Sequence, residues 1–152
     1  MEIESLLDLE SNIVSNRVIF KLTFKDAHIT ELRMLKTTEL LKSVFESFKT
    51  TEIKRVCLVF VVNKIKMPAN LSLFKNFAEA FNNYSEVINE KLDFTIIQTN
   101  NGVFRMFFSL FKMYYEPIKP LYMCENDEIT TKCLMSNSER KKVKNFSDMK
   151  KN

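Results

Sequence analysis

The sequence has very little glycine, histidine and cysteine, and it has no tryptophan. Its 152 residues include one glycine, one histidine and three cysteines. A chain with a single glycine cannot supply a GxGxxG fingerprint or a Walker loop, so glycine loops that cradle phosphates are excluded. The lone histidine, His28, has no motif around it that would make a Ser-His-Asp or Cys-His arrangement. No motif for catalysis is therefore present, and we do not expect an enzyme.

The three cysteines, Cys57, Cys124 and Cys133, are odd in number, and none of them lies in a CxxC pair. With one histidine beside them, they predict neither a zinc site nor a disulfide framework. We interpret them as buried thiols, because a free cysteine behaves as a small hydrophobic residue. No metal ion or cofactor is expected.

Long apolar runs are also missing. No stretch reaches the roughly 18 to 20 apolar residues that a membrane-spanning helix needs. The N-terminus, Met1 to Glu4, lacks the basic start and apolar run of a signal peptide. We therefore expect a cytoplasmic protein without a transmembrane segment.

Positive charge is concentrated near the end of the chain. The sequence carries 23 Lys or Arg against 19 Asp or Glu, a net charge of +4. Residues 136–152 contain six of the basic residues and two acidic ones, so the charge of residues 1–135 is balanced. A domain that binds nucleic acid is more often basic on its folded surface. We predict one domain over residues 1–135, a basic disordered tail over residues 136–152, and no nucleic-acid partner.

Seven consecutive apolar residues, Val56 to Val62, predict a strand that is buried on both faces. Such strands are typical of parallel sheets in α/β folds, because both faces must be covered. Leu92 to Thr99 and Leu121 to Cys124 are predicted as further strands, with helices between the strands. This alternation predicts a single α/β domain with a mixed, mostly parallel sheet.

The chain before the central strand is harder to interpret. Its first dozen residues fit either a short helix or an edge strand. In Arg17 to Phe24 apolar and polar residues alternate, which predicts a half-buried strand with Val18, Phe20, Leu22 and Phe24 inward. Ile29 to Leu35 is predicted to return as the second strand of a hairpin. A helix then begins near Thr38, with Thr37 or Thr38 as its N-cap.

Three more helices are predicted from apolar spacing and end signals. The first runs from Leu71 to Ile88 with Asn70 as its cap, and the second from Val103 to Tyr115, where Pro117 ends it. The last is short, from Asp127 to Leu134, with Asn126 or Asp127 as its cap.

Two polar turns follow two of the predicted parallel strands, where ligands bind in open α/β sheets. If these strands are neighbours, the turns form a small cationic rim suited to an anion or a partner's carboxylate. The alternative is that these residues only cap helices and solvate loops. The candidate binding residues are Lys64, Lys66, Asn70 and Ser72 in the first turn, and Asn100, Asn101 and Arg105 in the second.

The predicted helix from Val103 to Tyr115 is almost entirely apolar. One of its stripes can face the sheet, which leaves a second, aromatic stripe along its flank. Either a neighbouring helix covers this stripe, or it is an exposed patch that binds a partner, a lipid or a membrane surface. The aromatic stripe consists of Phe104, Phe108, Phe111 and Tyr115.

The order of elements over residues 13–135, from hairpin to last short helix, resembles the STAS fold of SpoIIAA-like anti-sigma factor antagonists. This resemblance implies helices mainly on one face of the sheet and a non-enzymatic regulatory module that binds a protein partner or a second copy. The family's phosphorylatable Asp-Ser-Ser-Gly or Asp-Ser-Thr-Gly turn would fall at Met67 to Ser72, where the motif is absent. Ser72 is the nearest hydroxyl to that position.

The segment from Thr95 to Lys112, followed by Pro117, resembles the strand, turn and aromatic helix late in CRAL-TRIO (Sec14-like) lipid-binding domains. It implies an alternative function, that of a small lipid-binding or membrane-surface-binding protein. The aromatic helix would line the lipid site, and the basic tail would be attracted to anionic head groups.

Overall fold

Five strands form one mixed sheet in the order β1-β2-β3-β4-β5. The first two are antiparallel, and all other neighbours pair in parallel. The predicted α/β fold with a mixed, mostly parallel sheet is confirmed. The computed structural model describes residues 5–25, 28–52, 55–62, 71–99 and 117–145. The strands are β1 Leu7–Val14, β2 Arg17–Phe24, β3 Val56–Val61, β4 Leu92–Gln98 and β5 Leu121–Cys124.

The described helices lie on both faces of this sheet. Helices α1 to α3 contribute to the larger core, on the first face, and α4 packs with the smaller core on the second face. Most of the described helical residues therefore cover one face. The helices are α1 Glu31–Thr50, a 3₁₀ turn Leu71–Phe74, α2 Lys75–Asn83, α3 Ser85–Lys91, α4 Asp127–Met135 and α5 Asn137–Arg140.

The central strand β3 is buried along its whole length. Its side chains alternate between the two cores, with Leu58 and Phe60 on the first face and Cys57 and Val59 on the second. The prediction of a strand covered on both faces is confirmed, as are the strands β4 and β5. The two neighbours of β3 both run parallel to it, so the carboxyl ends of β3 and β4 meet at one edge of the sheet.

The hairpin consists of β1 and β2, so the first dozen residues form mainly an edge strand. Its turn residues, Ser15 and Asn16, both have positive φ, of 53° and 62°. Two successive left-handed residues make a type I′ turn, whose twist matches that of the flanking strands. The pairing leaves Val14 directly opposite Arg17.

Replacing Asn16 with glycine is expected to raise the free energy of unfolding by about 0.5–1 kcal/mol, because glycine has no Cβ to crowd the left-handed conformation. Urea unfolding followed by circular dichroism measures the change. The matched control is Ser43→Gly at an exposed position within α1, which is expected to lower stability by about 0.5 kcal/mol. A change of the same sign in both variants would contradict the turn assignment.

The strand predicted over Ile29 to Leu35 is wrong, because most of this segment belongs to α1. The N-cap of that helix is Thr30, whose hydroxyl oxygen accepts a hydrogen bond from the Arg33 amide at 3.2 Å. Thr37, predicted as a possible cap, is buried within the helix. Its hydroxyl donates to the Arg33 carbonyl and accepts from the Leu6 amide, both at 2.7 Å. This hydroxyl therefore ties the chain before β1 to α1.

The helix predicted from Leu71 to Ile88 is interrupted. A 3₁₀ turn precedes α2, and Tyr84 separates α2 from α3. The apolar residues predicted to face inward still do so across the interruption, since Phe77, Phe81 and Ile88 are buried in the first core. The predicted cap Asn70 and the predicted helix over Val103 to Tyr115 lie outside the described residues.

The chain after Met135 is folded as far as Asn145, so the predicted disorder is wrong for residues 136–145. Arg140, in α5, is buried and donates from Nη1 to the Cys133 carbonyl at 2.7 Å. Asn145 then forms an antiparallel bridge with Tyr122 of β5. Backbone and arginine contacts hold this segment, which is why a search for apolar periodicity does not detect it. Residues 146–152 lie outside the described part of the chain.

Candidate functional site

Most of the residues predicted for the site lie outside the described part of the chain. Ser72 is described, and its exposed side chain lies in the 3₁₀ turn before α2. The two strands that lead to the polar turns are neighbours, as the predicted rim requires. The rim itself and the exposure of the aromatic stripe stay predictions. The predicted residues outside the described ranges are Lys64, Lys66, Asn70, Asn100, Asn101, Phe104, Arg105, Phe108, Phe111 and Tyr115.

At the carboxyl end of β4, a polar network that is buried at Gln98 and Thr130 joins the sheet to α4. The Gln98 amide nitrogen donates to the Asp127 carboxylate at 2.7 Å, and its oxygen accepts from the Thr130 hydroxyl at 2.8 Å. Of the two predicted caps, Asn126 is the one that caps the same helix, by accepting from the Ile129 amide at 2.9 Å. Because both ends of the Gln98 amide have partners within the protein, we interpret this network as a structural connection.

An ionic cluster around the buried Arg17 lies at the opposite end of the parallel strands, where they begin. Arg17 of β2 is only 4% exposed and donates from Nη2 to the Asp93 carboxylate of β4. Its Nη1 donates to the Leu134 carbonyl at the end of α4, at 3.3 Å. Arg55, just before β3, donates to the same Asp93 oxygen at 2.9 Å. The half-buried pattern predicted for β2 is therefore wrong at its start, where Arg17 and Ile19 are buried on the second face.

The Phe94 ring connects two arginines within this cluster. The guanidinium carbons of Arg17 and Arg140 lie 4.7 Å and 4.5 Å from the centre of the ring. Cation–π attraction of this kind is stronger when the groups are desolvated. Burial alone would raise the pKa of Asp93, but hydrogen bonds from Arg17 and Arg55, and their positive charges, outweigh it and lower that pKa. The carboxylate is therefore kept ionised to balance a buried cation.

All three cysteines are free and buried, as the sequence predicts. Burial, and to a smaller extent the neighbouring Cys133 thiol, raises the pKa of Cys124 to about 12. Burial also raises the pKa values of Cys57 and Cys133. Because the thiolate is the nucleophile, cysteines protonated in this way are poor candidates for covalent catalysis.

A polar groove of about 620 Å³ lies between α1 and α3. The Tyr84 hydroxyl donates to the Glu46 carboxylate at 2.7 Å, and Lys49 donates to the same oxygen at 3.2 Å. The hydrogen bond from Tyr84 lowers the pKa of Glu46 and raises that of Tyr84. Acidic and basic residues share the lining, so the groove has no charge preference that would select a ligand.

The outer edge of β1 is a different kind of surface. Leu9 and Ile13 are 41% and 62% exposed, and they lie on the sheet face of their partners in β2, Leu22 and Val18. Among the residues that the structure describes, no segment pairs with this edge of β1. An open edge strand is a template for pairing with another strand.

The outer edge of β5, on the other side of the sheet, is covered by another part of the chain. There the Met123 amide of β5 donates to the Lys144 carbonyl at 3.1 Å, and the Leu121 amide donates to the Asn145 side chain at 3.2 Å. The folded segment after Met135 thus covers the backbone of β5. The two edges of the sheet therefore differ in their ability to accept a partner.

The backbone groups of β1 that point outward follow from the hairpin register. Val14 and Arg17 flank the two-residue turn, and at the other end the Lys25 amide donates to the Leu6 carbonyl at 2.8 Å. Hydrogen-bonded pairs alternate along an antiparallel ladder, so the even-numbered residues of β1 bond to β2. The outward-pointing residues are Leu7, Leu9, Ser11 and Ile13.

Side chains of the protein itself cover the two ends of this outer edge. The Ser5 hydroxyl donates to the Leu7 carbonyl at 2.8 Å and accepts from the Leu7 amide at 3.1 Å. The Asn12 side-chain oxygen accepts from the Ile13 amide at 2.8 Å. The open part of the edge is therefore its middle, from Leu9 to Ser11.

Comparisons add no assignment to these surfaces. Within the described ranges, no group of three or more His, Cys, Asp or Glu residues is placed to hold a metal ion, and no helix has the length and hydropathy to cross a membrane. No protein-family model matches the sequence, and neither the curated proteins nor the solved structures contain a match to the chain.

Proposed function

We propose that this protein is a non-enzymatic protein-interaction module that binds a partner strand along the outer edge of β1. The observation that carries this proposal is the open middle of this edge, from Leu9 to Ser11, with which no described segment pairs and beside which Leu9 and Ile13 are exposed. In strand addition, main-chain hydrogen bonds supply affinity, and alternate side chains supply specificity. The exposed apolar side chains of Leu9 and Ile13 lie on one face and are suited to supply this specificity.

The remaining polar chemistry of the described residues supports a binding role over catalysis. The partly exposed carboxylate of Asp93 neutralises arginines, the buried Gln98 amide joins β4 to α4, and burial keeps the thiols protonated. These groups therefore stabilise the fold. A cytoplasmic location is part of the same proposal.

The STAS-like resemblance supports a regulatory role for such a module. In that reading, the polar turns that include Ser72 and the predicted aromatic stripe are further contact surfaces for the same partner. The lipid-binding alternative depends on the helix predicted over Val103 to Tyr115, which lies outside the described residues. Native mass spectrometry of the purified full chain separates the two functions, because a lipid-sized mass on the monomer would contradict the interaction module.

Peptide selection tests the edge directly. Peptides selected from a random library against the immobilised full chain are expected to carry apolar residues at alternate positions and to bind in an extended conformation. In fluorescence anisotropy, the double variant Leu9→Lys/Ile13→Lys is expected to weaken their binding at least about tenfold, because charges on an edge strand oppose strand addition.

The matched control is Leu32→Lys/Leu35→Lys on α1, whose two leucines are 44% and 51% exposed. This variant changes charge and apolar surface equally but leaves β1 intact, so peptide affinity is expected to stay the same. Equal losses in both double variants would argue against the edge as the binding surface, and so would failure to select any peptide against a chain that light scattering shows to be monomeric.

A further inference from the structure

We infer that the partner of β1 is the β1 strand of a second copy of this chain, paired antiparallel about a twofold axis that passes through Ser11. This inference rests on the proposed function, since it names the partner of the same edge. The two five-stranded sheets would then become one continuous sheet across the axis.

The geometry of β1 restricts the registers that such a dimer can adopt. Only the odd-numbered residues point their amides and carbonyls outward, so hydrogen-bonded pairs must join odd positions of both copies. The side chains at those positions, including Leu9 and Ile13, lie on the face of Leu22. A register that satisfies the backbone therefore also places the exposed apolar residues of both copies on one face.

Charge and apolar contacts select one of these registers. With Ser11 opposite itself, Leu9 faces Ile13 of the second copy, and Glu10 faces Asn12. Asp8 then lies opposite Val14, so no two charges of the same sign are paired. Opposite apolar pairs stabilise an antiparallel ladder, and opposite like charges destabilise it.

The neighbouring registers are less favourable. A shift in one direction places Glu10 opposite Glu10, and a further shift places Asp8 opposite Glu10. A shift in the other direction moves Leu9 opposite Ser15, which belongs to the turn and has a left-handed backbone. The Ser11 register is therefore the one that pairs both apolar side chains without repulsion.

The closed edge of β5 limits this assembly to two copies. Because the segment around Asn145 occupies that edge, the joined sheet has no second open edge of the β1 kind in the described residues. A twofold contact uses the same strand on both copies, so this strand cannot bind a third copy once the dimer has formed. The Asn12 side chain releases the Ile13 amide, which then bonds to the Leu9 carbonyl of the second copy.

Disulfide trapping tests both the dimer and its register in the full chain. Glu10→Cys and Asn12→Cys are made as separate variants at exposed positions and then mixed. In the Ser11 register these two positions form a non-hydrogen-bonded pair with Cα atoms about 4.5 Å apart, within the range of a disulfide. Oxidised glutathione is expected to link the mixture as a covalent dimer, and to link each variant alone far less. The native thiols are buried and protonated, so they compete little.

A mixture of Asp8→Cys and Glu10→Cys is the control, because these positions meet only in the shifted register. Preferential linkage of this mixture would overturn the Ser11 register. Light scattering of the wild-type chain is expected to show twice its 18.0 kDa mass, and Leu9→Lys/Ile13→Lys is expected to be monomeric. A dimer that survives this double substitution would overturn the contact.

A wild-type chain that stays monomeric over a wide concentration range, with no trapped disulfide, would overturn the second copy as partner. That result would leave the proposed function to be tested by the peptide selection, because the edge of a monomer is free to bind a peptide. Loss of peptide binding to the edge in a trapped dimer is expected, since the same backbone groups are then occupied.

Discussion

Replacing Phe45 with alanine is expected to lower the free energy of unfolding by about 3–5 kcal/mol. The Phe45 side chain is fully buried in α1. Its ring centre lies 5.1 Å from that of Phe81, 5.4 Å from that of Tyr84 and 5.5 Å from that of Phe48. Removing the ring leaves a cavity where α1 meets α2 and α3, so the loss includes both the transfer of the ring and the unfilled space.

Equilibrium unfolding in urea, followed by circular dichroism, measures this loss. The control is Leu32→Ala on the same helix, where the leucine is exposed and the change is expected to stay within about 0.5 kcal/mol. Phe45→Leu keeps most of the apolar volume and is expected to give an intermediate value. A Phe45→Ala variant as stable as Leu32→Ala would contradict the central position of this ring.

Replacing Asp93 with asparagine is expected to cost about 3 kcal/mol, because it leaves the Arg17 guanidinium buried without its counter-ion. This value is at the low end for a buried pair, since the Asp93 side chain is 33% exposed while that of Arg17 is 5% exposed. Arg55→Ala provides the control at the same carboxylate. Arg55 is 58% exposed, so its removal is expected to cost at most about 1 kcal/mol.

The same variant has a defined dependence on pH. The pKa of Asp93 is lowered in the folded protein, so below its ordinary value of about 3.9 the unfolded chain binds the proton first. The stabilisation from this carboxylate is complete above that pH and is lost as the pH falls through the lowered pKa. We expect the stability difference between wild type and Asp93→Asn to shrink on acidification below about pH 4. A difference that stays constant into strong acid would contradict this assignment.

The sequence predicted the elements whose signals are local. The run from Val56 to Val62 identified β3, and Asn126 identified the start of α4, because burial on both faces and a side-chain cap are visible within a few residues. The hairpin was harder to predict because its turn, Ser15 and Asn16, contains no glycine. The start of α1 was missed because two buried threonines resemble a cap that Thr30 in fact provides.

The candidate surfaces depend on contacts between distant parts of the chain. Arg17 alternates with apolar residues, which places it on the exposed side of a half-buried strand by pattern alone. Its partner Asp93 lies 76 residues away, and no local pattern connects the two. The open edge of β1 likewise follows from strand order, which the sequence does not encode within any short window. One available signal was the pair of alternating segments on either side of Ser15 and Asn16.

The two arginines that stack on Phe94 come from opposite ends of the chain, since Arg17 begins β2 and Arg140 ends α5. During synthesis, this contact cannot form until residue 140 has left the ribosome. By then the elements from β1 to β4, which supply nearly all of the first core, are already available to fold. Domains generally fold as their chain emerges, and contacts between distant residues form slowly. Among the described elements, those on the second face of the sheet are therefore completed last, and a ribosome that stalls before α4 emerges would hold a chain in which this helix does not yet cover that face.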